Sequence, residues 1–211
     1  MPLLYQISNI PTALIYIWKI EEDAAFFIQS MPWHIKQLEW LKSIHPIKRL
    51  EYLASRHLIF KITGKLDSHL YKDEAGKLYI EESNQNLSVS HSGEWVGIAL
   101  SEKNVGFDLQ KESKNIKSIS KRFLNEEEQS LLNSRNNDQL LILAWTIKEA
   151  VYKANGKKGI LFSEQILLDL SSFRNNQIIS KAILKQFENE KKYEIHHNWM
   201  ENFGYAIALE L

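Results

Sequence analysis

The chain has 211 residues, is 44% hydrophobic and 25% charged, and carries 26 basic and 26 acidic residues, so its formal net charge is zero. With 11% aromatic residues besides, it can bury enough apolar surface to offset its ordering entropy, which excludes intrinsic disorder. The balanced charge argues against a general polyanion binder, so we expect no nucleic-acid partner. The absence of cysteine excludes disulfides, thiolate zinc sites and thiol nucleophiles, and suits a reducing cytoplasm.

No segment reaches the roughly 20 apolar residues that span a bilayer. The most apolar early stretch, Ile10 to Ile20, contains Pro11 and Lys19, and no basic region precedes it. It is therefore a poor match to a signal peptide. We expect a soluble, cytoplasmic protein without a membrane segment.

Hydrophobic periodicity predicts strands and helices in both halves of the chain. In the first half they are a strand at Ala13 to Ile20, two helices within Pro32 to Ile62, a turn and short strand at Tyr71 to Ile80, and a hairpin of Leu87 to His91 with Trp95 to Leu100. In the second half they are a strand at Val105 to Gln110, helices at Ile116 to Leu132 and Leu140 to Ala154, and strands near Ile166 to Leu170, Ile178 to Leu184, Tyr193 to His197 and Tyr205 to Leu211.

The two halves end in similar segments. Val89 to Leu100 and Ile195 to Leu209 each contain a strand, a turn with a nearby His, and a Gly-containing return strand. This echo suggests two similar α+β lobes that meet near Ser101 to Asn104. Because hairpins are common, the pattern alone leaves a duplication open.

The first candidate for chemistry is the strand V-G-F-D-L-Q at Val105 to Gln110. Strand alternation places Asp108 and Gln110 on one face and Phe107 and Leu109 on the other. A carboxylate in an apolar strand needs a partner, either a hard cation or a Lys or Arg. The alternative is an Asp that faces solvent from an edge strand.

The second candidate is the helix segment W-T-I-K-E-A-V-Y-K. Trp145, Glu149 and Lys153 recur every fourth residue and share one face of the helix. A solvated Glu–Lys pair would explain this spacing, but the apolar run before it, Leu140 to Ala144, predicts a largely buried helix. We therefore expect Glu149 to lie in a cleft.

The third candidate is S-V-S-H-S-G, from Ser88 to Gly93. Its hydroxyls, imidazole and turn amides could hold a phosphate, although a capped turn with an exposed His is the commoner explanation. The sequence contains no HExxH motif, Walker A loop or GxGxxG loop.

Taken in order, S-V-S-H-S-G-E-W, V-G-F-D-L-Q and W-T-I-K-E-A-V-Y-K resemble the motifs of the 4'-phosphopantetheinyl transferase superfamily. The length resembles its larger, two-lobed Sfp-type class, and the similarity extends from about Arg49 to Ile160. This resemblance implies an α+β fold of two pseudo-duplicated lobes, at residues 1–103 and 104–211. Each lobe would be a small antiparallel sheet packed with helices.

The resemblance further implies transfer of the phosphopantetheine arm of coenzyme A to a Ser of an apo acyl or peptidyl carrier protein, with Mg²⁺ as cofactor. The product released is adenosine 3',5'-bisphosphate, and the enzyme is expected to be a monomer of the holo-acyl-carrier-protein synthase type. The residues implied by motif position are Asp108, Glu149 and Lys153 for catalysis; Asp108, Glu149 and Gln110 for the metal; and Arg49, Arg56, Gly76, Lys77, Ser90, His91, Lys148 and Lys153 for coenzyme A.

One position departs from the family pattern, since Gln110 stands where a Glu is usual. A catalytically weakened homologue that binds coenzyme A or a carrier protein is therefore an alternative, and an unrelated Mg²⁺-dependent phosphohydrolase is a wider one. The segment Ile116 to Leu132 begins with basic residues at Lys117, Lys121 and Arg122. It predicts a docking face for an acidic carrier or, alternatively, an ordinary amphipathic helix with Phe123 or Leu124 in the core.

Overall fold

The computed structural model describes residues 4–113, 115–134, 137–174, 178–186 and 189–211. Its strands are β1 (Leu4–Ile10), β2 (Ala13–Lys19), β3 (Leu70–Lys72), β4 (Leu78–Ile80), β5 (Asn86–Ser92), β6 (Trp95–Ser101), β7 (Val105–Lys111), β8 (Ile166–Leu168), β9 (Ile179–Gln186), β10 (Asn189–Met200) and β11 (Phe203–Glu210). Its α-helices are α1 (Ala24–Gln29), α2 (Ile35–Ser43), α3 (Pro46–Thr63), α4 (Ile116–Ile119), α5 (Glu126–Ser134), α6 (Asp138–Asn155), α7 (Phe162–Gln165) and α8 (Leu170–Arg174).

Two antiparallel sheets carry the fold. The first has the strand order β1-β2-β6-β5 and the second the order β7-β11-β10-β9-β8, while β3 and β4 form a separate hairpin. The first sheet uses strands up to Ser101, and the second begins at Val105. The expected α+β class is thus confirmed, whereas the division into lobes at 1–103 and 104–211 stays a prediction.

The two sheets share a topology, as the echo between the hairpins suggested. In the first, β2 pairs with β6, the return strand of the β5–β6 hairpin. In the second, β7 pairs in the same way with β11, the return strand of the β10–β11 hairpin. Each sheet also accompanies an 18-residue helix, α3 or α6, that ends at a glycine in the left-handed conformation, Gly64 or Gly156.

Apolar side chains form three cores. One lies between α1–α3 and the first sheet, a second is shared by the two sheets, and a third lies between the second sheet and α4–α8. Phe107 and Leu109 belong to the core between the sheets. Strand alternation therefore directs Asp108 to the opposite face of β7, toward α6, as the sequence predicted.

The structure corrects the single helix predicted from Ile116 to Leu132. α4 ends at Ile119, a 3-10 turn follows, and α5 begins at Glu126. The break has a local cause, because Asn125 and Glu128 form a reciprocal capping box in which each side chain accepts the other's backbone N–H, at 2.9 and 3.0 Å. Between the two helices, Phe123 and Leu124 are buried in the core.

Besides the short helices α7 and α8, the strand β1 and the helix α1 escaped the sequence analysis. β1 is a mostly exposed edge strand whose sequence, LYQISNI, lacks a continuous apolar run. α1 is only six residues long and is started by the side chain of Asp23, which accepts the N–H of Phe26. Within the described part of the chain, no helix is both long and apolar enough to cross a membrane.

Candidate active site

The site begins with a close contact between β7 and α6. A Cβ atom built at Gly106 would lie 1.9 Å from the Ala150 carbonyl oxygen and 2.3 Å from the Ala154 nitrogen. Only glycine lets the two backbones approach this closely. This contact sets α6 directly on β7 and brings Asp108, two residues after Gly106, beside the face of α6 that carries Glu149 and Lys153.

Asp108 is the polar centre of the site. It is only 7% exposed. Its Oδ1 accepts hydrogen bonds from the Lys153 amine and the Ser90 hydroxyl, each at 2.7 Å. The Lys153 amine also donates to the Val89 carbonyl at 3.3 Å. The strand β7, the helix α6 and the hairpin strand β5 therefore meet at one carboxylate.

Glu149 lies near this ion pair, and its proton affinity is unusual. Burial is the main factor that raises the pKa of Glu149, and the negative charge of Asp108 raises it further, to about 7, while Lys153 opposes the shift. Among the described residues, Lys153 is the cation that acts on Glu149, and the partly desolvated surroundings favour either a proton or an added cation on this carboxylate.

A cavity of about 660 Å³ opens beside Lys153 and is called the basic cavity below. Its ionisable walls are mainly cationic: Lys48, Arg56, Lys72, Lys77, Lys153, Lys157 and the histidines His45 and His91. Such a concentration of positive charge in a concave site attracts a multiply charged anion even though the chain is neutral overall. Of the residues expected to bind coenzyme A, Arg56, Gly76, Lys77, His91 and Lys153 line this cavity.

One acid, Glu51, lies among these cations. Its Oε2 accepts from the Lys48 amine at 2.8 Å and lies 3.4 Å from the His91 Nδ1. Burial lowers the pKa of His91, and the charge of Glu51 opposes this shift. Glu51 was not among the residues singled out from the sequence, and nothing in its helical spacing distinguishes it from a surface acid.

The two arginines expected to bind phosphate differ in position. Arg56 lines the basic cavity, but its Nε donates to the Asp67 carboxylate and its guanidinium stacks on the Tyr52 ring at 4.4 Å. Arg49 is not part of the cavity wall, and its Nε is buried without a hydrogen-bond partner among the described residues. Arg56 is therefore partly neutralised by Asp67, while Arg49 would have to rotate to reach a ligand.

The Gly76–Lys77 turn lies at the edge of the basic cavity. Gly76 has a φ of +95°, which suits glycine in this tight turn. The Lys77 amine, however, bonds the Asn104 side-chain oxygen at 2.5 Å and the Ala154 carbonyl at 3.3 Å. Burial lowers the pKa of Lys77. Lys77 thus ties the β3–β4 hairpin to the C-terminal end of α6.

The coenzyme A contact expected of Lys148 does not fit the structure. Lys148 is fully buried, and its amine donates to Glu128 Oε2 at 2.6 Å and to the carbonyls of Phe162 and Ile166 at 3.0 and 2.7 Å. All three ammonium protons are used, so none is left for a ligand. Lys148 instead joins α6 to α5 and α7, one residue before Glu149.

Gln110 lies on the same side of β7 as Asp108, as the alternation predicts. Its amide nitrogen donates to the Ser92 hydroxyl at 3.1 Å and to the Lys111 carbonyl at 3.2 Å. No described residue donates to its amide oxygen. That oxygen is the only part of Gln110 still available to a metal or a water.

A second cavity, of about 520 Å³, is also lined by residues of α6 and is called the apolar cavity below. Its apolar walls are Ile119, Phe123, Trp145, Ile160, Leu161 and Phe162, and Glu149 and Arg122 also line it. Tyr152 lines both cavities and lies between them. The two cavities depend on tertiary packing and could not be foreseen from the sequence.

Comparison with known proteins agrees with this arrangement. Residues 104–209, half of the chain, match the model of the 4'-phosphopantetheinyl transferase superfamily. The chain belongs to this superfamily. The matched region contains Asp108, Glu149 and Lys153, and the Sfp-type resemblance inferred from the motifs is confirmed.

Three curated transferases are similar to this superfamily member. A 4'-phosphopantetheinyl transferase of Bacillus subtilis is 34% identical over 88 residues, covering 40% of this chain and 39% of its own. The 4'-phosphopantetheinyl transferase gsp of Aneurinibacillus migulanus is 37% identical over 89 residues, covering 41% of this chain and 37% of its own. Sfp of Bacillus subtilis strain 168 is 31% identical over 97 residues, covering 44% of this chain and 43% of its own. The chain spans about two fifths of the length of the curated relatives it matches.

The donor atoms of this transferase-family site suit a hard divalent cation. Asp108 and Glu149 supply carboxylate oxygens, Gln110 supplies an amide oxygen, and the charge of Asp108 raises the pKa of Glu149. Among the described residues, no group of three or more His, Asp or Glu side chains is arranged to hold a metal. A metal here would therefore depend on two carboxylates together with oxygens from a ligand or water.

Proposed function

We propose that this protein transfers the 4'-phosphopantetheine arm of coenzyme A to a Ser of an apo acyl or peptidyl carrier protein, with Mg²⁺, releasing adenosine 3',5'-bisphosphate. The observation that carries the proposal is that Lys153, which lines the basic cavity, bonds Asp108, while Glu149, one helical turn away, lines the apolar cavity. Membership of the superfamily supports it. A monomeric, cytoplasmic enzyme of the holo-acyl-carrier-protein synthase type is part of the same proposal.

In this proposal the basic cavity holds coenzyme A. Its lysines and histidines face the phosphates, and Lys48, Lys72 and Lys157 join the residues expected from the motifs. Lys153 touches both the cavity and Asp108, so its amine neutralises charge on the pyrophosphate next to the reacting phosphorus. The cavity volume of about 660 Å³ is of the size that binds a cofactor.

The chemical step is a displacement at the β-phosphorus of coenzyme A. The carrier Ser oxygen forms the new P–O bond, the bond to the bridging oxygen breaks, and adenosine 3',5'-bisphosphate leaves with that oxygen. Glu149 accepts the Ser proton as the general base. Asp108 and Glu149 would hold Mg²⁺, which would offset the charge of the pyrophosphate.

The apolar cavity supports carrier docking on the same side of α6 as Glu149. Its walls bring Arg122 and apolar side chains together, and Lys121 and Arg122 are exposed beside it. A basic and apolar surface complements the acidic carriers of this system. Phe123 contributes from the core rather than from an exposed helical face.

The test is incubation with coenzyme A, Mg²⁺ and an apo carrier, followed by mass spectrometry of the carrier. We expect a gain of one phosphopantetheine mass only when both coenzyme A and a divalent cation are present. Glu149→Gln keeps the size of the side chain and serves as the inactive control. Binding of coenzyme A without modification of several apo carriers would instead favour a catalytically weakened homologue.

A further inference from the structure

Three serines alternate along β5 and reach across to β7. Each accepts a hydrogen bond from a backbone N–H of β7, at 2.8, 3.3 and 3.0 Å. The pairs are Ser88 with Phe107, Ser90 with Leu109, and Ser92 with Lys111. Both strands advance by two residues from one pair to the next, so β5 and β7 run parallel at this contact.

These hydroxyls replace a missing backbone ladder. β5 is the edge of the first sheet and β7 the edge of the second, so β7 presents N–H groups that its own sheet does not satisfy. A buried backbone N–H must find an acceptor, and the serine oxygens supply it. We call this contact of Ser88, Ser90 and Ser92 on β5 with the backbone of β7 the serine seam.

Ser90 differs from the other two serines in where its proton goes. Ser88 directs its hydroxyl to the backbone oxygen of Phe107 at 3.5 Å, but Ser90 donates to Asp108 Oδ1 at 2.7 Å. Lys153 donates to the same oxygen at 2.7 Å. No described residue donates to Oδ2, the second oxygen of this carboxylate.

We propose that Ser90 is a positioning residue, which fixes Oδ1 of Asp108 and leaves Oδ2 as the single carboxylate oxygen presented to a divalent cation. The inference rests on the proposed function, because it assumes a metal at Asp108. A carboxylate held by two charge-assisted hydrogen bonds keeps one orientation. Asp108 therefore binds the cation through one oxygen. Because Ser90 and Lys153 both donate to Oδ1, that oxygen is Oδ2.

This assignment changes the role expected of Ser90. A serine hydroxyl carries one proton, and here that proton is given to Asp108 while the oxygen accepts from Leu109. The side chain has no proton left for a phosphate of coenzyme A. Its neighbour His91 lines the basic cavity and remains the ligand-facing residue of the motif.

Ser88 provides a matched control on the same strand; because it lines the basic cavity, the affinity for coenzyme A is measured in each variant beside that for Mn²⁺. Ser88 and Ser90 are 6% and 5% exposed, and each accepts one N–H from β7, so alanine removes an equivalent part of the serine seam at either position. Only Ser90→Ala also removes a bond to Asp108. Ser90→Thr keeps a hydroxyl and serves as the rescue variant.

The experiment measures binding of Mn²⁺, by electron paramagnetic resonance of the full chain with coenzyme A present, together with the melting temperature without metal. We expect Ser88→Ala and Ser90→Ala to lower the melting temperature to a similar extent. Only Ser90→Ala should weaken Mn²⁺ binding, by about tenfold, as loss of a partner that orients a ligand generally does. Ser90→Thr should restore most of the affinity.

Two results would overturn the inference while leaving the proposed metal site intact: wild-type affinity in Ser90→Ala, or an equal loss in Ser88→Ala. If the wild-type protein binds coenzyme A but no Mn²⁺, the metal site itself is wrong and the inference fails with it. The wild-type measurement therefore separates failure of the proposed function from failure of the role given to Ser90.

Discussion

Gly106 and Ala150 lie so close that a methyl group on Gly106 would fall 1.9 Å from the Ala150 carbonyl oxygen. The obstructing atoms belong to the backbone of α6, so they can give way only if the whole helix moves. Since Glu149 and Lys153 lie on that helix, and Asp108 on the strand of Gly106, this one contact controls the spacing of the site.

We therefore expect Gly106→Ala to cost about 3 kcal/mol of stability, the upper part of the range for overpacking, and to reduce transfer even where the protein remains folded. Gly204→Ala is the control, because a Cβ there would meet side chains and not backbone: the end of Leu143 at 3.0 Å and the Trp199 ring at 3.3 Å. Urea unfolding and initial rates would test both variants. A Gly106→Ala protein as stable as Gly204→Ala would contradict the close contact.

The metal ligands make a second prediction. Asp108→Ala and Glu149→Ala should nearly abolish transfer, since each removes one of two carboxylates. Gln110→Ala should be mild, because its amide nitrogen is engaged with Ser92 and Lys111 and only its oxygen can contribute. Gln110→Glu should lower the Mg²⁺ concentration needed, by adding a third anionic oxygen donor.

A Mg²⁺ titration of the initial rate for the four variants checks these expectations. If Gln110→Ala were as damaging as Asp108→Ala, Gln110 would be an essential ligand and a site of two carboxylates would be wrong. Circular dichroism of each variant separates lost ligation from lost folding.

The ion pair of Lys148 and Glu128 makes a third prediction, about stability. Both side chains are almost fully buried, and Glu128 also accepts the backbone N–H groups of Asn125 and Leu168. Lys148→Met should cost about 3–5 kcal/mol, because it leaves the Glu128 charge buried without its cation. The double variant Lys148→Met with Glu128→Leu should lose less than the two single losses combined.

Chemical denaturation of the single and double variants measures this coupling. The loss in the Lys148→Met protein should be accompanied by unchanged affinity for coenzyme A in the folded fraction. A selective loss of coenzyme A binding in a fully stable Lys148→Met protein would restore the role that the motif first implied.

Carrier recognition gives a fourth prediction. Reversing the charge at Lys121 and Arg122, both exposed beside the apolar cavity, should raise the KM for the carrier and leave the KM for coenzyme A unchanged. Lys181→Glu is the control, since Lys181 is exposed on β9 and lines neither cavity. Equal effects on both substrates would argue against a docking surface here.

His197 gives a fifth prediction, about pH. Its ring is 6% exposed and neither nitrogen has a hydrogen-bond partner among the described residues. Burial lowers the pKa of His197 from 6.5 to about 4. In the unfolded chain His197 binds a proton below pH 6.5, whereas in the folded chain it stays neutral down to about pH 4. The free energy of unfolding therefore falls as the pH drops from 6.5 to 4.

The loss attributable to His197 should be about 2 kcal/mol at pH 5. His197→Phe removes the titrating group and should flatten the stability profile between pH 6.5 and 4. His69→Gln, a change at an exposed histidine, should leave the dependence of the unfolding free energy on pH unchanged in this range. Thermal or urea unfolding across this pH range measures the slopes, and an unchanged slope in His197→Phe would rule out this origin.

Sequence patterns predicted the parts of this protein that depend on local order. The alternation in Val105 to Gln110 placed Asp108 correctly, and the spacing of Glu149 and Lys153 placed both on the face of α6 that meets it. Lys148 was assigned to coenzyme A by its motif position, which cannot tell an inward lysine with three acceptors from one that reaches a ligand. The break before α5 was signalled by Asn125 and Glu128, but the apolar pattern across it concealed the cap.

What the sequence could not supply was the contact between distant segments. Nothing local distinguishes Ser90, which bonds Asp108, from Ser88, which bonds only backbone. The same holds for Glu51 among the lysines of the basic cavity and for Tyr152 between the two cavities. These relationships arise only when the two sheets and α6 are assembled.

Because the two sheets share a topology, each position in the first half of the chain can be paired with one in the second half. Gly64 and Gly156, which end α3 and α6, are 92 residues apart, and so are Ala13 and Val105, which begin β2 and β7. At that interval Tyr16 corresponds to Asp108 and His57 to Glu149, and His57 is packed among aromatic rings with its Nδ1 bonded to Ser30. The first half therefore repeats the architecture of the second without its acidic pair, and it contributes instead most of the walls of the basic cavity.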